Sequence, residues 1–154
     1  MPRIAVILSV LLMSSAAFSQ EEAEPAPGPC HQYLRVFATY DELVNGKLVD
    51  KVSTAELTNW SRNSTFEGFV ATKDTPANAD LTVEFTKKKA KKATKSVHGG
   101  FKDWKLDANY RLADLDIHKV LDKRPTAEGT YTVHLHADGK NLCTETKPVV
   151  IDAE

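Results

Sequence analysis

Cys30 and Cys143 are the chain's two cysteines, and they bracket most of its length. With two thiols a single intramolecular bridge exists, and it would tie the first strand of a domain to its last. Closing a loop of about 100 residues contributes roughly 4–5 kcal/mol in the chain-entropy model. A bridge also removes both thiols as nucleophiles. His134 and His136 fall on one face of an alternating strand, a spacing that could set two imidazoles on a metal. Two ligands do not make a site, and His31, His98 or His118 would have to converge with them. Exposed polar alternation accounts for the pair more simply, so no metal or cofactor is expected. Neither a nucleophile elbow nor a paired-carboxylate motif stands out, and no catalytic residue is assigned.

Two further patterns concern the surface. Lys87, Lys88, Lys89, Lys91, Lys92 and Lys95 crowd one short stretch. Such a cluster raises the local positive potential and could meet anionic lipid headgroups or sulfated glycans. A solvated loop or strand edge, where lysines discourage aggregation, is the favoured reading over any specific ligand. No aromatic residues interleave with the lysines to stack bases, so nucleic acid is not an expected partner. Asn59-Trp60-Ser61 and Asn63-Ser64-Thr65 are glycosylation sequons. They become acceptors at Asn59 and Asn63 if the chain is exported.

The N-terminus argues for export. Arg3 precedes an apolar run from Ile4 to Met13, and Ala17 and Ser19 suit cleavage before Gln20. Residues 1–19 therefore read as a signal peptide, too short to span a bilayer as a mature anchor. Oxidising compartments preserve disulfides, which agrees with the cysteine placement. The expected location is extracellular, or the lysosomal or endosomal lumen. The remaining 135 residues carry 19 basic and 21 acidic side chains, a balance unlike that of a dedicated nucleic-acid binder. Residues 20–29 are acidic and proline-rich and read as a disordered tail. Residues 30–154 form one domain, expected to be a monomer.

Period-two alternation runs through that domain. It is seen in Tyr33–Tyr40, Thr65–Thr72, Asp80–Thr86, Tyr110–Ile117, Thr130–Ala137 and the segment after Asn141. Asp138-Gly139 marks a tight hairpin, and Pro148 confines the last strand to an edge or an irregular end. Asp41–Lys47 and Val120–Arg124 offer at most one helical turn each. The pattern predicts an all-β, Ig-like antiparallel β-sandwich of about seven to eight strands with one disulfide.

Phe66, Val70, Leu81, Val83, Phe85, Phe101, Trp104, Leu115, Ile117, Tyr131, Val133 and Leu135 can line the space between the sheets. Ordinarily such residues are simply a packed core. They become a lipid pocket if the sheets splay. Phe66 to Phe85 would then form one wall and Leu115 to Leu135 the other. Gly99-Gly100 reads as a flexible hinge placing Phe101 and Trp104 at the mouth.

Tyr110 to Ile151 resembles the closing portion of the secreted lipid-recognition (ML-domain) family, which includes group-2 mite allergens and the ganglioside activator. The likeness rests on a proline-containing loop at Pro125, Gly129-x-Tyr131 opening a strand, Gly139 in a turn, Cys143, and the apolar Val149 to Ile151. The stretch from Phe69 to Phe85 resembles the family's central hairpin. The family's further disulfides are absent, and Gly99-Gly100-Phe101 stands where it has a Cys-Pro strand start. The resemblance implies a Cys30–Cys143 bridge and non-enzymatic binding of an acyl chain, a sterol or another apolar small molecule between the sheets. The lysine cluster would add transient contact with an anionic membrane surface. The alternative is a secreted interaction module with a solid core, binding a protein or an anionic glycan through exposed loops.

Overall fold

Ten strands build two five-stranded sheets in the computed structural model, which describes residues 27–122 and 125–151. The signal peptide and residues 20–26 of the tail lie outside the described residues. The strands are β1 Leu34–Val44, β2 Lys47–Ala55, β3 Trp60–Ser61, β4 Gly68–Ala71, β5 Asp80–Lys87, β6 Lys95–Gly99, β7 Phe101–Asp103, β8 Arg111–Ala113, β9 Gly129–Ala137 and β10 Lys140–Val150. The first sheet has the order β2-β1-β4-β8-β7 and the second β3-β10-β9-β5-β6. Pairing is antiparallel except where β3 runs parallel to the end of β10. The strand count exceeds the expected seven or eight: β3 and β7 are too short to show a period, and the outer half of β2 has no buried face to impose one.

Alternation sets the faces. Leu81, Val83 and Phe85 of β5 sit directly opposite Leu135, Val133 and Tyr131 of β9, so all six point to the same side of the second sheet. Leu34, Val36, Phe69 and Ala113 come from the first sheet to meet that cluster, and Leu57, Trp60, Phe66, Ile117, Val120 and Leu121 close its ends. Leu81, Val83, Tyr131, Val133 and Leu135 are 0 % exposed. Each such side chain contributes about 1.5–3 kcal/mol through burial.

Local chemistry explains the connections. Asn45 and Gly46 have φ 50° and 78°, and Asp138 and Gly139 have φ 53° and 74°. Both pairs are thus type I′ hairpin turns, whose twist matches the flanking strands. The helical turn expected at Asp41–Lys47 is therefore a hairpin. The strand expected over Tyr110–Ile117 stops at Ala113, and Ile117–Lys119 forms one 3-10 turn capped by Asp116 Oδ1, which accepts from His118 N. That turn precedes the one expected at 120–124, of which residues 123 and 124 lie outside the described residues. Gly99-Gly100 carries the chain from β6 in the second sheet to β7 in the first. A Cβ at Gly99 would lie 2.2 Å from the Asp114 carbonyl oxygen, so this glycine marks a close approach of two backbones and not a hinge.

The Cys30–Cys143 disulfide joins residues 113 apart in sequence. It runs from the turn before β1 to the inner face of β10. A register shift between Asn141 and Cys143 inserts Leu142 as a bulge and turns Cys143 inward beside Leu135. Glu145, two residues on, is buried, and its Oε1 accepts from Cys30 N at 3.0 Å. Lys147 Nζ lies 3.2 Å from its other oxygen.

Two outcomes follow from this packing. Replacing both cysteines by serine lowers the unfolding free energy by about 4–5 kcal/mol in the chain-entropy account, read as a lower urea midpoint; an unchanged midpoint would contradict a stabilising bridge. Burial raises the Tyr131 phenol above the ordinary tyrosine range, with the Glu145 charge adding to the effect. A raised folded-state value means stability that is complete below the unfolded tyrosine value of about 10 and is lost as pH climbs beyond it. In an ultraviolet phenolate titration one tyrosine should ionise only as the protein unfolds, and Tyr131→Phe should delete that step.

Candidate binding surface

Of the twelve residues expected to line a slot, ten border the inter-sheet core, with Phe101 and Leu115 partly buried at its margin. Val70 and Trp104 do not. Inward direction on β4 belongs to Phe69, so period two turns Val70 to the outer face of the first sheet. There Val70 packs with Phe37 and Trp104 in a second cluster. The Trp104 ring lies 4.8 Å from Phe37 and 6.3 Å from Tyr110, away from any mouth between the sheets. The two walls also differ from expectation. Leu81, Val83 and Phe85 share a sheet with Tyr131, Val133 and Leu135, and the facing wall is Leu34, Val36 and Phe69. Across the interior the Phe69 ring stands 6.4 Å from Tyr131 and 5.9 Å from Phe66.

The five histidines do not converge on one point. His134 and His136 stack at 6.1 Å on the outer face of the second sheet. His134 Nε2 faces Glu84 Oε2 at 3.4 Å, and His98 Nδ1 faces Thr82 Oγ1 at 3.0 Å. His31 pairs with Glu56 at 2.9 Å, and His118 contacts the Leu121 carbonyl at 3.3 Å. Among the described residues no group of three or more His, Cys, Asp or Glu gathers as a metal-binding set.

One end of the sandwich carries the remaining features. β1 loses its β4 partner after the Phe37–Gly68 pair but continues with β2 to the Val44–Lys47 pair. The two strands leave the body as a ribbon in which Thr39 to Asp50 are all exposed. Tyr40, Leu43, Val44, Leu48 and Val49 stand in water there, Leu43 at 68 % and Leu48 at 72 % exposure. Residues directly opposite share a face, so Leu43 and Leu48 lie on one side with Asp41 and Asp50. Tyr40, Val44 and Val49 lie on the other with Glu42, Lys47 and Lys51.

The lysine loop leaves from the same end. Gly68 pairs with Phe37, and Phe66, two residues earlier, packs its ring 4.1 Å from Trp60. Trp60 pairs with Val149, Val149 with Gly129, and Gly129 with Lys87. Beyond Lys87 the chain turns through exposed Lys88, Lys89, Lys91 and Lys92 to Lys95 at the start of β6. Lys88 Nζ holds Glu128 Oε2 at 2.7 Å, and that bond raises the ammonium above its usual range. A cleft of about 440 Å³ lies under Lys87–Ala90 against Glu128 and Thr130. Both sequon asparagines, Asn59 and Asn63, are exposed on the loop between arm and body. They line a second cleft of about 380 Å³ together with Phe37 and Ala55.

No protein family, curated protein or solved structure matches the chain. The likeness to the ML-domain family rests on the residues alone.

The apolar ribbon is the feature that alternation does not reveal, although Asn45-Gly46 is the same hairpin signal as Asp138-Gly139. One charge pair in it makes a test. A hydrogen bond to Asp50, reinforced by that group's charge, raises the Asp41 carboxyl above the ordinary aspartate range. A raised folded value means that the ribbon is more secure in acid and loses that contribution as pH rises through the folded value. Amide exchange in residues 40–51, corrected for its intrinsic rate, should be slower near pH 4 than near pH 7. Asp41→Asn should flatten the difference; an unaltered pH dependence in that variant would remove the carboxyl pair as its cause.

Proposed function

We propose that this protein is an exported, non-enzymatic binding module that works from one end of a packed β-sandwich. The observation that carries the reading is the contrast between interior and ribbon. Five large apolar side chains are left in water on a paired ribbon, while Leu81, Val83, Val133 and Leu135 are wholly buried. Isolated exposed apolar residues are ordinary, but a contiguous group marks an interaction site. The disulfide supports an oxidising compartment. No helix among the described residues is long and apolar enough to cross a membrane. Glycans at Asn59 or Asn63 would flank the ribbon and limit which surfaces approach it from the body side.

A slot for an acyl chain or sterol is the second reading. It is favoured by the ten residues that border the inter-sheet space and by the ML-domain resemblance. The two readings part in a titration of the delipidated protein with a fluorescent fatty acid or sterol kept below its micelle concentration. A surface module gives no saturable uptake, and native mass spectrometry gives the bare polypeptide or glycoprotein mass. Saturable micromolar binding of one probe per chain would overturn the surface reading in favour of the slot.

A further inference from the structure

We propose that the tip of the β1–β2 ribbon, Leu43, Val44, Leu48 and Val49, inserts into the interfacial layer of an anionic lipid bilayer. The proposal rests on the reading of the ribbon as the binding element and names its partner. Its first support is the distribution of apolar groups around the tip. Leu43 and Leu48 project from one face, Val44 and Val49 from the other, and all four are exposed. A protein groove would cover one face and leave the opposite pair in water. Bilayer surrounds an inserted tip on every side, so both faces are satisfied together. The three rungs that carry them, Val44–Lys47, Leu43–Leu48 and Glu42–Val49, span about 7 Å at roughly 3.4 Å per residue, within the 5–10 Å depth that interfacial segments reach.

Tyr40 sits behind Val44 on the same face, 50 % exposed, at the level where aromatic rings favour the boundary between headgroups and chains. Lys47 lies beside the turn, and its four-carbon stem lets the ammonium reach back to phosphate level. No backbone needs to enter the hydrocarbon core, where unpaired N–H and C=O groups would be prohibitive.

Charge complementarity then selects the headgroup. The ribbon itself holds three carboxylates, Asp41, Glu42 and Asp50, against the ammoniums of Lys47 and Lys51, so it draws nothing toward an anionic surface. The lysine loop supplies that attraction. Lys87, Lys89, Lys91, Lys92 and Lys95 are exposed at the end from which the ribbon leaves, opposed by Glu128 at Lys88. Anionic lipid attracts the loop electrostatically, and the apolar tip holds the contact once made.

The test is partitioning of the purified protein onto phosphatidylcholine vesicles with and without phosphatidylserine. Binding should require or strongly favour phosphatidylserine and weaken with salt. Leu43→Asp/Leu48→Asp should lower it about tenfold or more, since the tip then carries charge into the interface. Lys91→Glu/Lys92→Glu should weaken binding severalfold and flatten its salt dependence. Leu48→Trp keeps the tip apolar, and its emission should shift to the blue on vesicles relative to the wild-type background of Trp60 and Trp104. Absence of vesicle binding by wild type, equal binding by the tip double variant, or an unshifted Leu48→Trp spectrum would each overturn insertion. Self-association through the ribbon without vesicle binding would also overturn it, making a second copy the occupant. None of these results touches the fatty-acid titration, so insertion and the surface reading can fail separately.

Discussion

The junction around Cys30 holds the two sheets in one arrangement. Cys30 lies in the turn before β1, and its sulfur is bonded to Cys143 on β10. Its amide is taken by the buried carboxylate of Glu145, and its carbonyl accepts from Tyr33 N at 2.9 Å and Leu34 N at 2.8 Å. Covalent bond and hydrogen bonds therefore fix the start of β1 against β10, across the interface between sheets. A Cβ on Gly28 would fall 2.3 Å from Glu145 Oε1, so the carboxylate occupies the room that only glycine leaves. A buried carboxylate is costly unless hydrogen-bonded and paired, and Glu145 has both the Cys30 amide and the Lys147 ammonium.

From that junction the sandwich is closed by contacts of high sequence separation. Arg111 on β8 donates to the carbonyls of Thr75, Pro76 and Ala77 at 2.5, 3.1 and 3.3 Å, and lies 5.7 Å over the Phe101 ring. One guanidinium thus gathers the loop after β4, which closes on itself through Thr75 N to Thr72 O and Ala79 N to Pro76 O, onto the first sheet. Tyr131 plays the matching part at the other end, its hydroxyl donating to the Thr58 carbonyl. The bond to the buried Thr75 satisfies a backbone acceptor that would otherwise be costly. The Tyr131 bond anchors the loop that follows β2, at the base of the ribbon.

Legibility in the sequence followed burial. β5 and β9 alternate cleanly because one face meets the core and the other meets water, and that pattern coincides with the buried Leu81, Val83, Tyr131, Val133 and Leu135. β1 was visible only over its first half for the same reason. β2 was not visible: Lys47, Val49, Lys51 and Ser53 share one face and Leu48, Asp50, Val52 and Thr54 the other. Neither face of its outer half is buried, so nothing forced a period on it. Val70 lies outside the inter-sheet core because β4 is buried on both faces, and a strand apolar throughout does not say which side is which; Trp104, just after β7, packs on the same outer face. Gly99 was read as freedom where the structure needs closeness, since the residue type is the same for both demands.

The ribbon's energetics bear on what it is for. Ordering a residue's backbone costs about 1–2 kcal/mol, while cross-strand pairs return roughly 0.2–1 kcal/mol each. In the body burial makes up that difference. In the ribbon, exposed from Thr39 to Asp50, it does not, and Asp41 facing Asp50 adds a repulsion. The type I′ turn at Asn45-Gly46 sets the register but supplies little energy. A two-stranded segment of this kind belongs to the low-stability end of a fold. Leu43 and Leu48 contribute almost nothing to the free protein, yet both would gain from any apolar surround. Polar residues at those two positions would leave the body unchanged. Placing leucines at the most exposed rung costs solubility and stabilises the folded chain little, which makes the tip intelligible as a group kept for a contact outside the chain.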